Sequence, residues 1–89
     1  MIYFNNMDNI TINIVNAIGD VYGVEAEDGQ KVFELILKAF NENKKVHLSF
    51  QNIEMLTTAF LNTAVGQLYK DHSEEFIKAN LSVSDLTES

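Results

Sequence analysis

Residues 45–69 read KVHLSFQNIEMLTTAFLNTAVGQLY and change hydrophobic period part-way along. Val46, Leu48 and Phe50 alternate with His47 and Ser49, the two-residue period of a half-buried strand. After a short connection anchored by Ile53 and Leu56, the period lengthens. Phe60, Leu61, Ala64, Val65, Leu68 and Tyr69 form two adjacent apolar rows of a helix that begins near Thr57 or Thr58. A strand feeding directly into an amphipathic helix restricts the chain to architectures in which helices lie on a sheet. It also sets two hydroxyls at the positive end of that helix.

The flanking sequence repeats the theme. Ile10, Ile12 and Ile14 alternate through residues 9–15, predicting a strand. Residues 16–23 contain two Gly and Asp20, and read as a connection in which Val21, Tyr22 and Val24 form a second short strand. Asp28 is placed to cap a helix, accepting a backbone N–H at the positive end of the dipole. Val32, Phe33, Ile36, Leu37 and Phe40 then recur at helical spacing. The polar run NENKK ends that helix near Asn41 or Asn43. Ser73 caps a last short helix over residues 74–79, with Phe76 and Ile77 as its apolar contacts. Residues 81–86 supply an edge strand. The expected architecture is α/β, a small mixed β-sheet with packed helices in the order β-β-α-β-α-α-β. The parallel connection through the 28–40 helix should be right-handed. We expect a single domain over residues 1–89, with residues 1–8 an N-terminal extension in which Ile2 to Phe4 pack or pair. Met7 is a candidate alternative start, and residues 87–89 are expected to fray.

Composition narrows the chemistry. A chain of 89 residues buries only about 60–65% of its unfolded surface, so the core must be efficient; 46% apolar residues, six Phe among them, provide it. Without Cys there is no disulfide or thiolate metal site. Asp and Glu outnumber basic residues 13 to 6, and every basic residue is Lys. Phosphate backbones and guanine edges are read by basic surfaces rich in Arg, so a direct nucleic-acid reader is not expected. The formal charge of −7 suits solubility and basic partners. No apolar run approaches the ~18 residues of a membrane span, and the first ten residues lack a secretory pattern. A cytoplasmic domain is the expectation.

Catalytic and metal constellations are thin. His47 and Ser49 share a strand face, but no Gly-rich nucleophile turn surrounds Ser49. His72 sits in the polar run DHSEE and reads as a solvated turn residue. Glu25, Glu27 and Asp28 lack the spacing of a calcium loop. They read as charge at a helix N-terminus, favourable by ~0.3–1 kcal/mol. We expect no enzyme, no cofactor and no metal. Thr57 and Thr58 remain. One hydroxyl suffices to cap the helix, and the other is free to meet solvent or a partner. Beside them Ala59, Thr63 and Gly66 form a small, smooth face. Gly66 inside a helix costs ~1 kcal/mol relative to Ala, which suggests a close approach there.

Strand, turn and hydroxyl-rich helix start together resemble the STAS domains of bacterial anti-sigma-factor antagonists. In those, a strand of type LDLSGV leads to a DSSG-like turn and a helix. Leu48-Ser49-Phe50-Gln51-Asn52-Ile53 stands for the strand and turn, and Thr57-Thr58-Ala59-Phe60 for the helix start. The combination LSF…LTTAFLNTAVGQLY is closer to STAS-like domains of the DUF4325 type, and the upstream INIVNAIG…EDGQKVFELI fits their first strand and helix. Departures are local. Ala59 stands where the phosphorylated antagonists carry the modified Ser, Phe60 stands for the following Gly, and Thr57 replaces the acidic residue. Thr58 matches the Ser just before the modified one and is the candidate phosphorylation site. The resemblance implies a non-enzymatic, signalling interaction module whose partner is a histidine-kinase-like ATPase in an anti-sigma-type switch. The expected docking surface is Thr57, Thr58, Asn62, Thr63 and Gly66. Two other classes stay open: an acidic inhibitor seated in a basic groove of a nucleic-acid enzyme, and a homodimeric structural module. A monomer or weak homodimer fits all of these.

Overall fold

A computed structural model describes residues 8–86. The expectations for Ile2 to Phe4, for Met7 and for residues 87–89 lie outside the described residues. β1 (Asn9–Asn13) is shorter than its alternating pattern. The Asn13 side chain accepts a 2.9 Å hydrogen bond from the Asn16 N–H and so starts a helix immediately. That helix, α1 (Ile14–Ile18), closes on Gly19 with φ 73°, whose N–H reaches the Val15 carbonyl. Asn at the start and a left-handed Gly at the end are strong capping choices. Together they override the strand pattern that Ile14 would have continued. Ile14 is buried all the same, from a helix rather than a strand.

β2 (Tyr22–Gly23) follows, and then α2 (Ala26–Asn41). The helix starts at Glu25, which makes no side-chain cap, so Asp28 is not the capping residue. Asp28 lies in the first turn, where its carboxylate meets Lys31 Nζ at 3.3 Å. Gly29, Val32, Ile36, Ala39 and Phe40 form the buried face of α2. Phe33 and Leu37, expected on that face, are half-buried at its margin.

β3 (Lys45–Ser49) pairs in parallel with β1 on one side and with β5 (Leu81–Ser84) on the other. The order β1-β3-β5 makes this three-stranded sheet parallel where a mixed sheet was expected. Register sorts its side chains cleanly. Ile10 lies opposite Val46, and Ile12 opposite Leu48. On the other face Thr11, His47 and Ser82 form one row, and Asn13, Ser49 and Ser84 the next. The apolar rows join α2 and Phe60, Leu68 and Ile77 in one core cluster. Parallel sheets are usually apolar on both faces; this one is polar on one.

Between β3 and β5 the chain forms β4 (Met55–Leu56), α3 (Thr58–Ala64), a 3-10 helix (Gly66–Lys70) and α4 (Glu74–Asn80). β4 was expected only as a connection. It pairs in parallel with β2, Tyr22 opposite Met55 and Gly23 opposite Leu56. The long helix expected through Tyr69 breaks at Val65 and continues as the 3-10 helix. Its three-residue turn keeps Leu68 buried but leaves Tyr69 exposed. Ser73 caps α4 as expected, accepting from the Phe76 N–H at 3.0 Å. His72 is not a freely solvated turn residue. It stacks on Phe76 with centroids 5.0 Å apart, meets Phe40 edge-on at 5.4 Å, and donates from Nδ1 to the Leu68 carbonyl.

Candidate functional site

The corner from β3 to α3 is held by one threonine. Thr57 is the N-cap of α3: its Oγ1 accepts from the Phe60 N–H at 3.1 Å and donates to the Val24 carbonyl at 2.9 Å. Its own N–H reaches the Gly23 carbonyl at 3.0 Å. Thr57 thus fastens α3 to the β2–β4 pair, and its hydroxyl is fully engaged. Thr58, the first residue of α3, is exposed. The division of labour between two hydroxyls anticipated from the sequence is therefore the one observed.

The five expected docking residues differ in exposure, Thr57 and Thr63 being half-buried. Thr58, Asn62 and Gly66 are all exposed. Their four-residue spacing places the first two on one row of α3, continued by the start of the 3-10 helix. Thr63 turns inward. Its hydroxyl donates to the Ala59 carbonyl at 3.0 Å, and its Cβ would lie 3.0 Å from a Cβ built on Gly29. Gln67 closes the same seam, donating from Nε2 to the Thr63 carbonyl and to Gln30 Oε1, each at 2.9 Å.

The close approach expected at Gly66 occurs at Gly29. A Cβ on Gly29 would stand 2.7 Å from the Phe60 carbonyl oxygen and 3.3 Å from the Ala64 nitrogen. Both are backbone atoms of α3, so α2 and α3 pack with Gly29 at their contact. A Cβ on Gly66 would meet only the Asn62 side chain, at 3.6 Å or more. Gly66 lies just beyond α3 and not inside it, and no neighbour presses on it.

The sequence did not single out Tyr22 and Met55 as functional residues. They are ladder partners, so their side chains lie on the same face of the β2–β4 pair. Tyr22 is 48% and Met55 55% exposed. Thr58 lies three residues beyond Met55, and exposed Glu54 flanks the pair. A two-residue strand carries no periodicity, so only the pairing reveals that these two belong together.

His47 and Ser49 share a face as expected, but His47 is engaged elsewhere. Its Nδ1 lies 2.7 Å from Ser82 Oγ and its Nε2 2.8 Å from Ser84 Oγ. Ser49 is buried, and its Oγ accepts a long 3.4 Å bond from the Gln51 N–H. The imidazole thus clasps β5 to β3. Acid residues 25, 27 and 28 sit at the start of α2, where they complement its dipole.

A family model for the STAS-like domain of unknown function (DUF4325) matches residues 28–89, more than half of the chain. The chain belongs to this STAS-like family. The match begins inside α2 and takes in β3, the Thr57–Thr58 corner and β5. Its small α/β fold with parallel strands accords with the family. β1, which completes the sheet of this STAS-like chain, precedes the matched residues. No curated protein and no solved structure matches the chain. Among the described residues no helix is long and apolar enough to cross a membrane.

Proposed function

We propose that this STAS-like domain is a non-enzymatic interaction module that docks a histidine-kinase-like ATPase of an anti-sigma-type switch. The observations that carry the docking surface are the exposed Tyr22–Met55 pair and, from three residues after Met55, the exposed row Thr58, Asn62 and Gly66. Tyr and Met are enriched in interfaces, where they give large contact area at small entropic cost. The small residues beside them let a partner helix come close. Thr57 and Thr63 support this surface from beneath. The Thr57 hydroxyl ties α3 to the Val24 carbonyl just after β2 and so holds the corner together.

The test is calorimetric titration of the domain with a histidine-kinase-like ATPase encoded beside it. Met55→Lys and Tyr22→Ala should each weaken binding by at least ~tenfold, the effect of losing about 1.4 kcal/mol at a central contact. Both positions are exposed, so the variants should remain folded. Full binding by both folded variants would refute the surface. A cytoplasmic, signalling setting follows from this reading and stands or falls with it.

A further inference from the structure

The polar face of the sheet opens into a cavity of about 410 Å³ at the amino-terminal ends of the three parallel strands. Thr11, Lys45, His47, Lys78, Asn80 and Ser82 contribute its polar lining. Among the described residues no carboxylate lines it, although the chain carries 13 acidic residues. The paired residues on this face of the sheet, which include Asn9 opposite Lys45 as well as the two rows above, are likewise free of Asp and Glu. Acidic side chains are instead concentrated on the helices and connections. The result is a locally cationic hollow on an anionic protein.

We propose that this cavity binds a phosphate-class oxyanion through Lys45, Lys78 and the Ser82 hydroxyl. Lys45 makes no salt bridge among the described residues, while Lys78 holds Glu74 only through a solvent-exposed contact at 3.5 Å. Lys78 exchanges that contact for the ligand, since an exposed pair of this kind contributes little. The Ser82 hydroxyl is held in place by His47, 2.7 Å away, whose other nitrogen is fixed by Ser84. With the ring donating from Nδ1, Ser82 accepts and its own proton is left for the anion. Charge-assisted hydrogen bonds from two ammonium groups supply most of the attraction. Asn80 gives one of its two amide protons to the Phe76 carbonyl at 2.9 Å and keeps the other. The site is remote in sequence from the Tyr22–Met55 surface and does not depend on it.

The experiment is a two-dimensional ¹H–¹⁵N titration of the whole chain with inorganic phosphate. Sodium chloride of equal ionic strength is the control, and glycerol 2-phosphate is the second arm. Saturable shifts at Thr11, His47 and Ser82 are expected with phosphate and not with chloride. The double variant Lys45→Ala, Lys78→Ala should weaken binding by at least ~tenfold while keeping the spectrum of a folded chain. Tighter binding of the ester assigns the site to a phosphomonoester, and equal binding assigns it to the free anion. Shifts reproduced by chloride, or untouched in the double variant, overturn the proposal.

Discussion

Gly29→Ala is the substitution whose outcome the structure determines most sharply. In isolation it should help, because Ala is favoured over Gly in a helix by up to ~1 kcal/mol. In this fold the new Cβ would stand 2.7 Å from the Phe60 carbonyl oxygen, 3.0 Å from Thr63 Cβ and 3.3 Å from the Ala64 nitrogen. Relief needs a shift of several tenths of an ångström against backbone, not the swing of a flexible side chain. The backbone of α3 is itself pinned by the Thr57 cap and by Phe60, which is fully buried. Overpacking of this kind typically costs ~1–3 kcal/mol. Taking off the propensity gain leaves a net loss of about 0–2 kcal/mol. Gly66→Ala is the matched control. Its Cβ meets only Asn62, at 3.6 Å or more, and the change should be neutral or stabilising by up to ~1 kcal/mol. Urea unfolding measures both from the midpoint at constant m. For a domain of this size, 1 kcal/mol corresponds to roughly 4–8 °C in Tm. A stabilised Gly29→Ala, or a Gly66→Ala variant that loses more than Gly29→Ala, would refute the assignment of the helix contact to Gly29.

Thr57→Ala removes a cap and the tie to Val24 together, and should cost ~1–2 kcal/mol by the same unfolding assay; Thr58→Ala should stay within about 0.5 kcal/mol. His47→Ala frees both serines of β5 and should lower stability by ~1–2 kcal/mol. Amide exchange should speed up at residues 82–84 before the rest of the sheet, and uniform loss of protection would contradict the clasp. Incubation of the domain with an active kinase-like ATPase and ATP should add one phosphate to Thr58, seen in the intact mass and absent from Thr58→Ala. An unmodified mass limits Thr58 to a contact role.

How far the fold could be read from the sequence depended on the length of each pattern. Val46, Leu48 and Phe50, the α2 stripe, and Ser73 as a cap all stand where period and capping chemistry put them. Patterns shorter than a period were misread. Ile14 continued an alternation that Asn13 and Gly19 cut short by capping one helical turn. Asp28 had the right chemistry for a cap, but the helix starts three residues earlier with backbone bonds to Glu25. The short strand expected at Val21, Tyr22 and Val24 is β2, but its partner β4 was read as a connection, because a two-residue strand carries no period of its own and exists only through pairing. The site followed the same logic. The cap at Thr57 and the exposure of Thr58 were legible from local chemistry. The inward turn of Thr63 was set by Gly29, 34 positions away. Tyr22 and Met55 met only through long-range pairing. Gly66 looked like a contact residue because Gly in a helical pattern implies crowding; here it follows the break at Val65.

The most direct test of the docking claim is a map of the partner's footprint on the ¹⁵N-labelled domain. On addition of the histidine-kinase-like ATPase, perturbations should concentrate at Tyr22, Met55, Thr58, Asn62 and Gly66. The outward side of α2 around Lys31 and Leu35 should be unaffected. Perturbations centred on α2, or a spectrum unchanged at saturating ATPase, would contradict it.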